Sequence, residues 1–286
     1  MLSPEQIDNY QQQGFVLLEH AVSKSLLKSL TRRFDAWVAL SRQHSGPFGK
    51  MLDGRPRFDV EPGHSFDAPA LRRIAAPEEL SAEWLGMLQR GAFIEAAACV
   101  IGPDIRFHHA KLNSKMPGSG TVVKWHQDFP FDPHTNDDCV TAMLYLDDVT
   151  NENGAPRIVP ESHRGPIHSL WHNGIFTGAV EDKIARECET SAVECAGPAG
   201  SICLMHTRAL HGSSTNRTSS PRTLFIANLT SADAIPLSPN AVPSIYSGQI
   251  VYGKDPGKIR VQRQTLEAPE IPSGASFFNQ QSQQGM

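Results

Sequence analysis

The chain has 286 residues, 40% of them hydrophobic and 20% charged, an ordinary balance for a protein able to bury a full core. A net charge of -4 and a pI near 6.3 provide no basic field of the kind nucleic-acid binders carry, and no apolar run is evident that approaches the roughly 18 residues needed to cross a bilayer. Neither nucleic acid nor membrane is therefore an expected partner. The opening MLSPEQIDNYQQQGF is polar and lacks the apolar segment of a signal peptide. Five cysteines (99, 139, 188, 195 and 203) are scattered without a CxxC spacing, so free thiols in the cytoplasm are expected.

Residues 3 to 42 read as largely helical. Ser3 is an N-cap, Pro4 sits in the first turn where a missing N–H costs little, and Gln6 completes a capping box. A short apolar strand, Phe15 to Leu18, follows Gly14. Ser23 then opens a second helix in which Leu26, Leu27, Leu30, Phe34, Trp37 and Val38 recur at helical spacing. Residues 43 to 68, rich in Gly, Pro, His and Arg, read as an irregular loop. Another helical stretch covers about 78 to 100, with Trp84, Leu85, Leu88, Ile94 and Ala97 on one face. From about 104, short runs of β-formers (IRFHHAKLN, VTAMLYLDDV, APRIVP, GSICLMHT, RTLFIANLT) alternate with the turn clusters MPGSG, NENG, GPAG and NRTSSP. This pattern predicts a mainly β sandwich or jelly roll with flanking helices. One domain over 1–286 is expected, with 1–100 as mainly helical support and 104–235 as the β core carrying the site.

Two segments of the β-rich half carry chemistry. In Lys124-Trp-His126-Gln-Asp128, extended backbone would point residues i and i+2 to one side, so His126 and Asp128 present an imidazole and a carboxylate to one point. His211 follows a predicted strand and closes the set from a neighbour. Two histidines and a carboxylate leave three metal positions open, as in non-haem iron oxygenases. HxD is common by chance, and the alternative is a hydrogen-bonded His126–Asp128 loop with His211 as a core histidine. Arg222 shifts the balance. It begins a strand 11 residues after His211, where a hairpin would return it toward the metal end. There its guanidinium would clamp the far carboxylate of an iron-chelated 2-oxo acid.

These segments resemble the phytanoyl-CoA dioxygenase-like family, which includes ectoine and proline hydroxylases. The likeness starts with PEQIDNYQQQGFVLLEHAVS and continues through KLNSK, WHQDFPFDPHTNDD and LDDVTNENGAPRIVPESHRGPI to LHGSSTNRTSSPRTLFI. It implies a double-stranded β-helix, a cupin-like jelly-roll barrel, using Fe(II), 2-oxoglutarate and O2. Carried over by position, the resemblance implies iron ligation by His126, Asp128 and His211, and a 2-oxoglutarate clamp at Arg222. It implies that Ser213 assists the same carboxylate and that Asn113 lies near the cosubstrate's other end. Asp128 stands where related halogenases have a small residue, which favours hydroxylation of an unactivated C–H bond with release of succinate and CO2. Desaturation, cyclisation and epoxidation remain open.

One departure is Asn153-Gly154-Ala155-Pro156-Arg157, where the family usually has a small or apolar pair. Arg157 either enters the pocket as an anion contact or faces solvent on an edge strand that tolerates Pro156. Lys111 and Lys124 are candidate substrate contacts whose strand parity is open. The loop Pro133 to Asp138 and the pair His163–Arg164 read as turn chemistry. Basic residues at 55, 57, 111, 124 and 157 suit a small anionic or zwitterionic metabolite such as an amino acid, an aminophosphonate or a natural-product intermediate. A CoA ester is less favoured because no strongly basic groove is apparent. The pocket walls are expected to come partly from loops 43–68 and 160–180. The rival readings are a metal-dependent hydrolase, which would not need Arg222, and a non-catalytic barrel, which would be expected to have lost a ligand.

Overall fold

The computed structural model describes residues 1–282. The N-terminal punctuation folds as predicted. In α1 (Pro4–Gln13) the Gln6 N–H donates to Ser3 Oγ at 3.2 Å and the Ser3 N–H donates back to Gln6 Oε1 at 2.9 Å. Gly14 ends the helix at φ 84°, and a Cβ there would also meet His163 Nδ1 at 2.4 Å. β1 (Phe15–Leu18) and α2 (Lys24–Ser41) follow. The rest of the chain runs β2 (Phe58–Val60), β3 (Leu71–Ala75), α3 (Ala82–Gln89), α4 (Ala92–Ile101), β4 (Ile105–Lys115), β5 (Val123–His126) and β6 (Cys139–Tyr145). Then come β7 (Arg157–Ile158), β8 (Trp171–His172), β9 (Ile175–Phe176), α5 (Asp182–Ser191), β10 (Val193–Glu194), β11 (Ile202–His206), β12 (His211–Ser213), β13 (Arg222–Ser231), β14 (Ile250–Tyr252) and α6 (Phe278–Ser282).

The larger sheet has the order β1-β11-β6-β13-β4-β3-β2, with β14 beside β4; the smaller has the order β10-β7-β12-β5. All their pairings are antiparallel, and the architecture is the jelly-roll barrel of mainly β proteins. Alternation along the central strands separates two cores. Val140, Ala142 and Leu144 of β6, with Phe225, Ala227 and Leu229 of β13, pack under the helices. Met143 and Tyr145, with Leu224 and Ile226, face the barrel interior. Helices α2 to α4 cover the outer face of the larger sheet, and the Trp84 ring lies 4.9 Å from that of Phe225.

The first hundred residues are less purely helical than expected. The 43–68 loop contains β2, and β3 follows it; together they extend the larger sheet at one edge while β1 forms the other. Both escaped prediction because FDV is very short and LRRIA carries two arginines that break the apolar pattern. The helical stretch near 78–100 is also broken, since Gly91 at φ 87° separates α3 from α4. Contrary to expectation, Ala82–Ile101 is apolar and long enough to cross a membrane by composition, with a mean hydropathy of 1.2. Its large apolar side chains (Trp84, Leu88, Phe93, Ile94) are instead buried in the core beneath the sheet.

Glu78, in the 3-10 turn Pro77–Glu79, is 2% exposed, and burial pushes its carboxyl up to about 7 from 4.5 against an opposing pull from Ser244. An acid raised in this way costs stability as pH rises, because the unfolded chain ionises near 4.5 while the native group resists until about 7. Glu78→Gln is therefore expected to stabilise the protein at pH 8 by about 1–3 kcal/mol and to give no gain at pH 4. Thermal melts at the two pH values test this; an equal gain at both would refute the ionisation argument.

Candidate active site

His126 ends β5, Asp128 lies in the bend beyond it, and His211 begins β12 directly opposite His126 in the register of the smaller sheet. Their donor atoms lie within 4.8 Å of one another. His126 Nε2 is 3.5 Å and His211 Nε2 is 3.7 Å from Asp128 Oδ1. Each ring directs Nδ1 at a backbone carbonyl, His126 to Lys124 O at 2.8 Å and His211 to Ala209 O at 3.0 Å. That bond fixes the tautomer and turns the Nε2 lone pair toward the cluster. Burial lowers the His211 imidazole to about 4, with His126 adding to the effect, so the ring is neutral at physiological pH. Burial alone would raise the Asp128 carboxyl, but His211 and His126, with Lys111, hold it well below the usual carboxylate range. Two imidazoles presenting Nε2 beside an ionised carboxylate are the donor set a divalent cation requires.

Thr141 Oγ1, on β6 across the barrel, donates to Asp128 Oδ2 at 2.6 Å and leaves Oδ1 facing the histidines. No sequence signal marked this residue, because nothing local relates a strand threonine to a carboxylate 13 residues earlier. Thr141→Val is expected to weaken divalent-metal affinity about 10- to 100-fold at nearly unchanged volume. A titration of the apoprotein with Mn(II) measures it, and an unaltered affinity would show that the hydroxyl does not orient Asp128.

One cavity is lined by His126, Asp128, His211, Asn113, Ser213, Arg222 and Lys111 together. Arg222 reaches it by a different route from the one expected. It does not return on a hairpin with β12; β13 belongs to the opposite sheet, between β6 and β4. The guanidinium therefore faces the cluster across the barrel interior. It is 3% exposed, makes no hydrogen bond or ion pair among the described residues, and is drawn down to about 10 by burial. Asn113 Oδ1 is likewise buried without a partner. Ser213 Oγ accepts a 2.8 Å hydrogen bond from Lys115 Nζ, which burial, aided by Arg222, lowers to about 6. Sequence reasoning missed Lys115. Its partner is 98 residues away.

Two other candidates lie outside this cavity. Val123 and His126 of β5 oppose Ser213 and His211 of β12, so three steps on one strand face two on the other. This bulge breaks the i, i+2 rule, and Lys124 lines an outer groove instead. Arg157 lines the same groove, since Ile158 takes the inward position opposite His211. Its guanidinium donates to Glu189 and lies 5.2 Å from the Trp125 ring. Arg57 and Arg55 are structural as well. Arg57 donates to Ala75 O and Ala76 O, at 3.2 and 2.9 Å. Arg55 donates to Ala241 O and Pro272 O, at 2.6 and 3.0 Å. The turn readings agree with the contacts: Asn136 Oδ1 accepts from the Asp138 N–H, and Arg164 donates to Gln11 O.

The cavity mouth is built from segments the sequence did not single out. Its walls are Pro239 to Val242, Pro269 to Pro272 and Phe277, not loops 43–68 and 160–180. The C-terminal segment is pinned by Ser276 Oγ donating to Asp59 at 2.7 Å and by Arg72 stacked 4.7 Å from the Phe278 ring. Phe277 lies 5.9 Å from the His126 ring and closes the metal end.

A jelly roll with two imidazoles, a carboxylate and a lone buried guanidinium facing one cavity defines a non-haem metal oxygenase class. A family model described as phytanoyl-CoA dioxygenase (PhyH) matches residues 10–224, and the chain belongs to this family. A probable alpha-ketoglutarate-dependent hypophosphite dioxygenase from Stutzerimonas stutzeri is 32% identical over 198 residues, 67% of this chain and 68% of that protein. The L-proline trans-4-hydroxylase of Streptomyces griseoviridis is 26% identical over 258 residues, 83% and 90% of the two chains. The crystal structure of EctD from S. alaskensis with 2-oxoglutarate and 5-hydroxyectoine shares the fold at a TM-score of 0.66 and 19% identity, covering 93% of this chain and 89% of that one.

Proposed function

We propose that this protein is an Fe(II)- and 2-oxoglutarate-dependent oxygenase that hydroxylates a small anionic metabolite. His126, Asp128 and His211 hold the iron, and Arg222 receives the far carboxylate of 2-oxoglutarate with Ser213 and Lys115 beside it. Asn113 lies along the same wall, suited to the cosubstrate's other end. The observation that carries the reading is Arg222: a buried guanidinium with no hydrogen-bond or ion-pair partner among the described residues, facing a three-donor metal cluster inside one cavity. Leaving such a charge unpaired is costly unless an anion arrives to meet it. Bound iron would supply oxidative chemistry with O2, while the protein positions the reactants and keeps water out. Phe131, Val242 and Phe277 do the latter.

The mouth cavity of about 50 Å³ suits a small substrate. The hypophosphite and proline named for two relatives are also small molecules with an anionic group. All five cysteines are free, which supports a reducing, cytoplasmic location. The test is succinate formation by anaerobically prepared protein supplied with Fe(II), 2-oxoglutarate and then O2. Succinate that requires all three supports the oxygenase. Turnover of an ester or amide with zinc and without 2-oxoglutarate would support the hydrolase instead.

A further inference from the structure

Resting on this oxygenase reading, we propose that Arg73, His109 and Lys111 form a cradle for a tetrahedral oxyanion, and that the primary substrate is a small phosphorus oxyanion carrying the C–H or P–H bond to be oxidised. His109, Lys111 and Asn113 share the inward face of β4 by strand alternation, and Arg73 of β3 is registered against Asn113. A bulge sharpens the arrangement. His109 pairs with Asn228 and Phe107 with Leu229, so His108 is the extra residue and the outer-face parity resumes at Ala110 and Leu112. His108 thereby joins His109 beside Asp132, with His108 Nε2 3.0 Å and His109 Nδ1 3.8 Å from the two carboxylate oxygens.

Arg73 and His109 are buried and Lys111 is half-buried, and none of the three makes a side-chain hydrogen bond among the described residues. Arg73 is 5% exposed and makes no hydrogen bond or ion pair among the described residues. Among the described residues both ring nitrogens of His109 lack a hydrogen-bond partner, and Lys111 Nζ lies over the face of Phe277, at 5.9 Å, in the field of Asp128 and Asp132. All three line the mouth cavity alongside His126 and Asp128. Of the three carboxylates there, Asp128 belongs to the metal cluster, Asp132 is engaged by His108, and Glu270 is exposed. Arg222 lines the inner cavity and not the mouth, so the cosubstrate's tail does not need the cradle.

Donor number selects the ligand. A planar carboxylate is satisfied by one guanidinium fork. Donors on three separate side chains match a group with oxygens at three corners, as in a phosphonate. A phosphinate such as hypophosphite uses two corners for oxygen and keeps P–H bonds. The reaction balances without a further reagent. 2-Oxoglutarate loses CO2 and two electrons to become succinate, and the substrate's C–H or P–H bond loses two. The four electrons reduce O2, one oxygen atom entering succinate and the other the new hydroxyl.

The test uses holoenzyme with Fe(II) and 2-oxoglutarate, offered methylphosphonate, hypophosphite or acetate. Methylphosphonate or hypophosphite is expected to stimulate succinate formation with a KM below about 1 mM. Phosphorus NMR would show hydroxymethylphosphonate or phosphite, which separates the C–H source from the P–H source. Arg73→Gln and Lys111→Gln should each raise that KM about 10- to 100-fold. In Arg73→Gln, whose side chain lines the mouth and not the inner cavity, the affinity for 2-oxoglutarate, read from the visible absorption of its ferrous chelate, should move less than about 3-fold. If Arg73→Gln does not fold, Lys111→Gln decides. A normal chelate with no response to either phosphorus oxyanion, equal turnover of acetate, or an unmoved KM in the folded variants overturns the cradle and leaves the oxygenase standing. One equivalent of metal retained by Asp128→Ala protein would place an ion on His108, His109 and Asp132 and also overturn it. Absence of the chelate absorption in the wild type overturns both readings.

Discussion

Asp128→Ala is expected to lower Fe(II)-dependent succinate formation at least about 100-fold, and His211→Ala equally. The size follows from the electrostatics of the cluster. Among the described residues Asp128 is the only carboxylate within 4 Å of either imidazole, and His211 and His126, with Lys111, already hold it ionised inside the barrel. Without it, a divalent cation would meet two imidazoles and no carboxylate next to Lys111 in a poorly solvated cavity. That arrangement repels the ion. The substitution also removes the acceptor of Thr141 Oγ1, leaving a buried hydroxyl unpaired at a further cost of about 1–3 kcal/mol. Metal content and succinate yield should therefore fall together while the fold survives, as circular dichroism would verify. Retention of more than about a tenth of the activity would remove Asp128 from the metal's ligand set.

Arg222→Met has two expected effects of opposite sign. The requirement for 2-oxoglutarate should rise about 100-fold, equivalent to about 3 kcal/mol, because a charge-assisted contact to a buried carboxylate disappears. Without cosubstrate, the same substitution should stabilise the protein by about 1–3 kcal/mol, since it replaces an unpaired buried cation by an apolar chain of similar length. An arginine serving only the fold would behave differently: its loss would destabilise, and the cosubstrate requirement would stay put. Melting curves with and without 2-oxoglutarate, beside the concentration dependence of turnover, separate the two cases. A lower melting temperature with an unshifted cosubstrate dependence would end the proposed role.

Local grammar was readable because it acts between neighbours in sequence. The Ser3–Gln6 capping box and the apolar stripe of α2 are set within a few residues by backbone hydrogen bonding and side-chain spacing. The resemblance carried His126, Asp128, His211, Asn113, Ser213 and Arg222 as a set, and the fold gathers all six around one cavity. The strand partner of Arg222 was not readable, because strands distant in the chain pair through backbone groups that every residue has.

Only the tertiary structure decided which cations face inward. Lys124 and Arg157 look equivalent to Lys111 in the sequence, yet a bulge in β5 and the inward placing of Ile158 turn both outside. A second bulge, at His108, set the inward register of β4 that His109 and Lys111 share. Arg73, Thr141, Lys115 and Phe277 gain their surroundings only when β3, β6, β4 and the C-terminal segment close around the same space. Composition determined that a core would form, and short-range pattern determined its pieces. The inward or outward direction of each charge was left to strand register, which one inserted residue reverses.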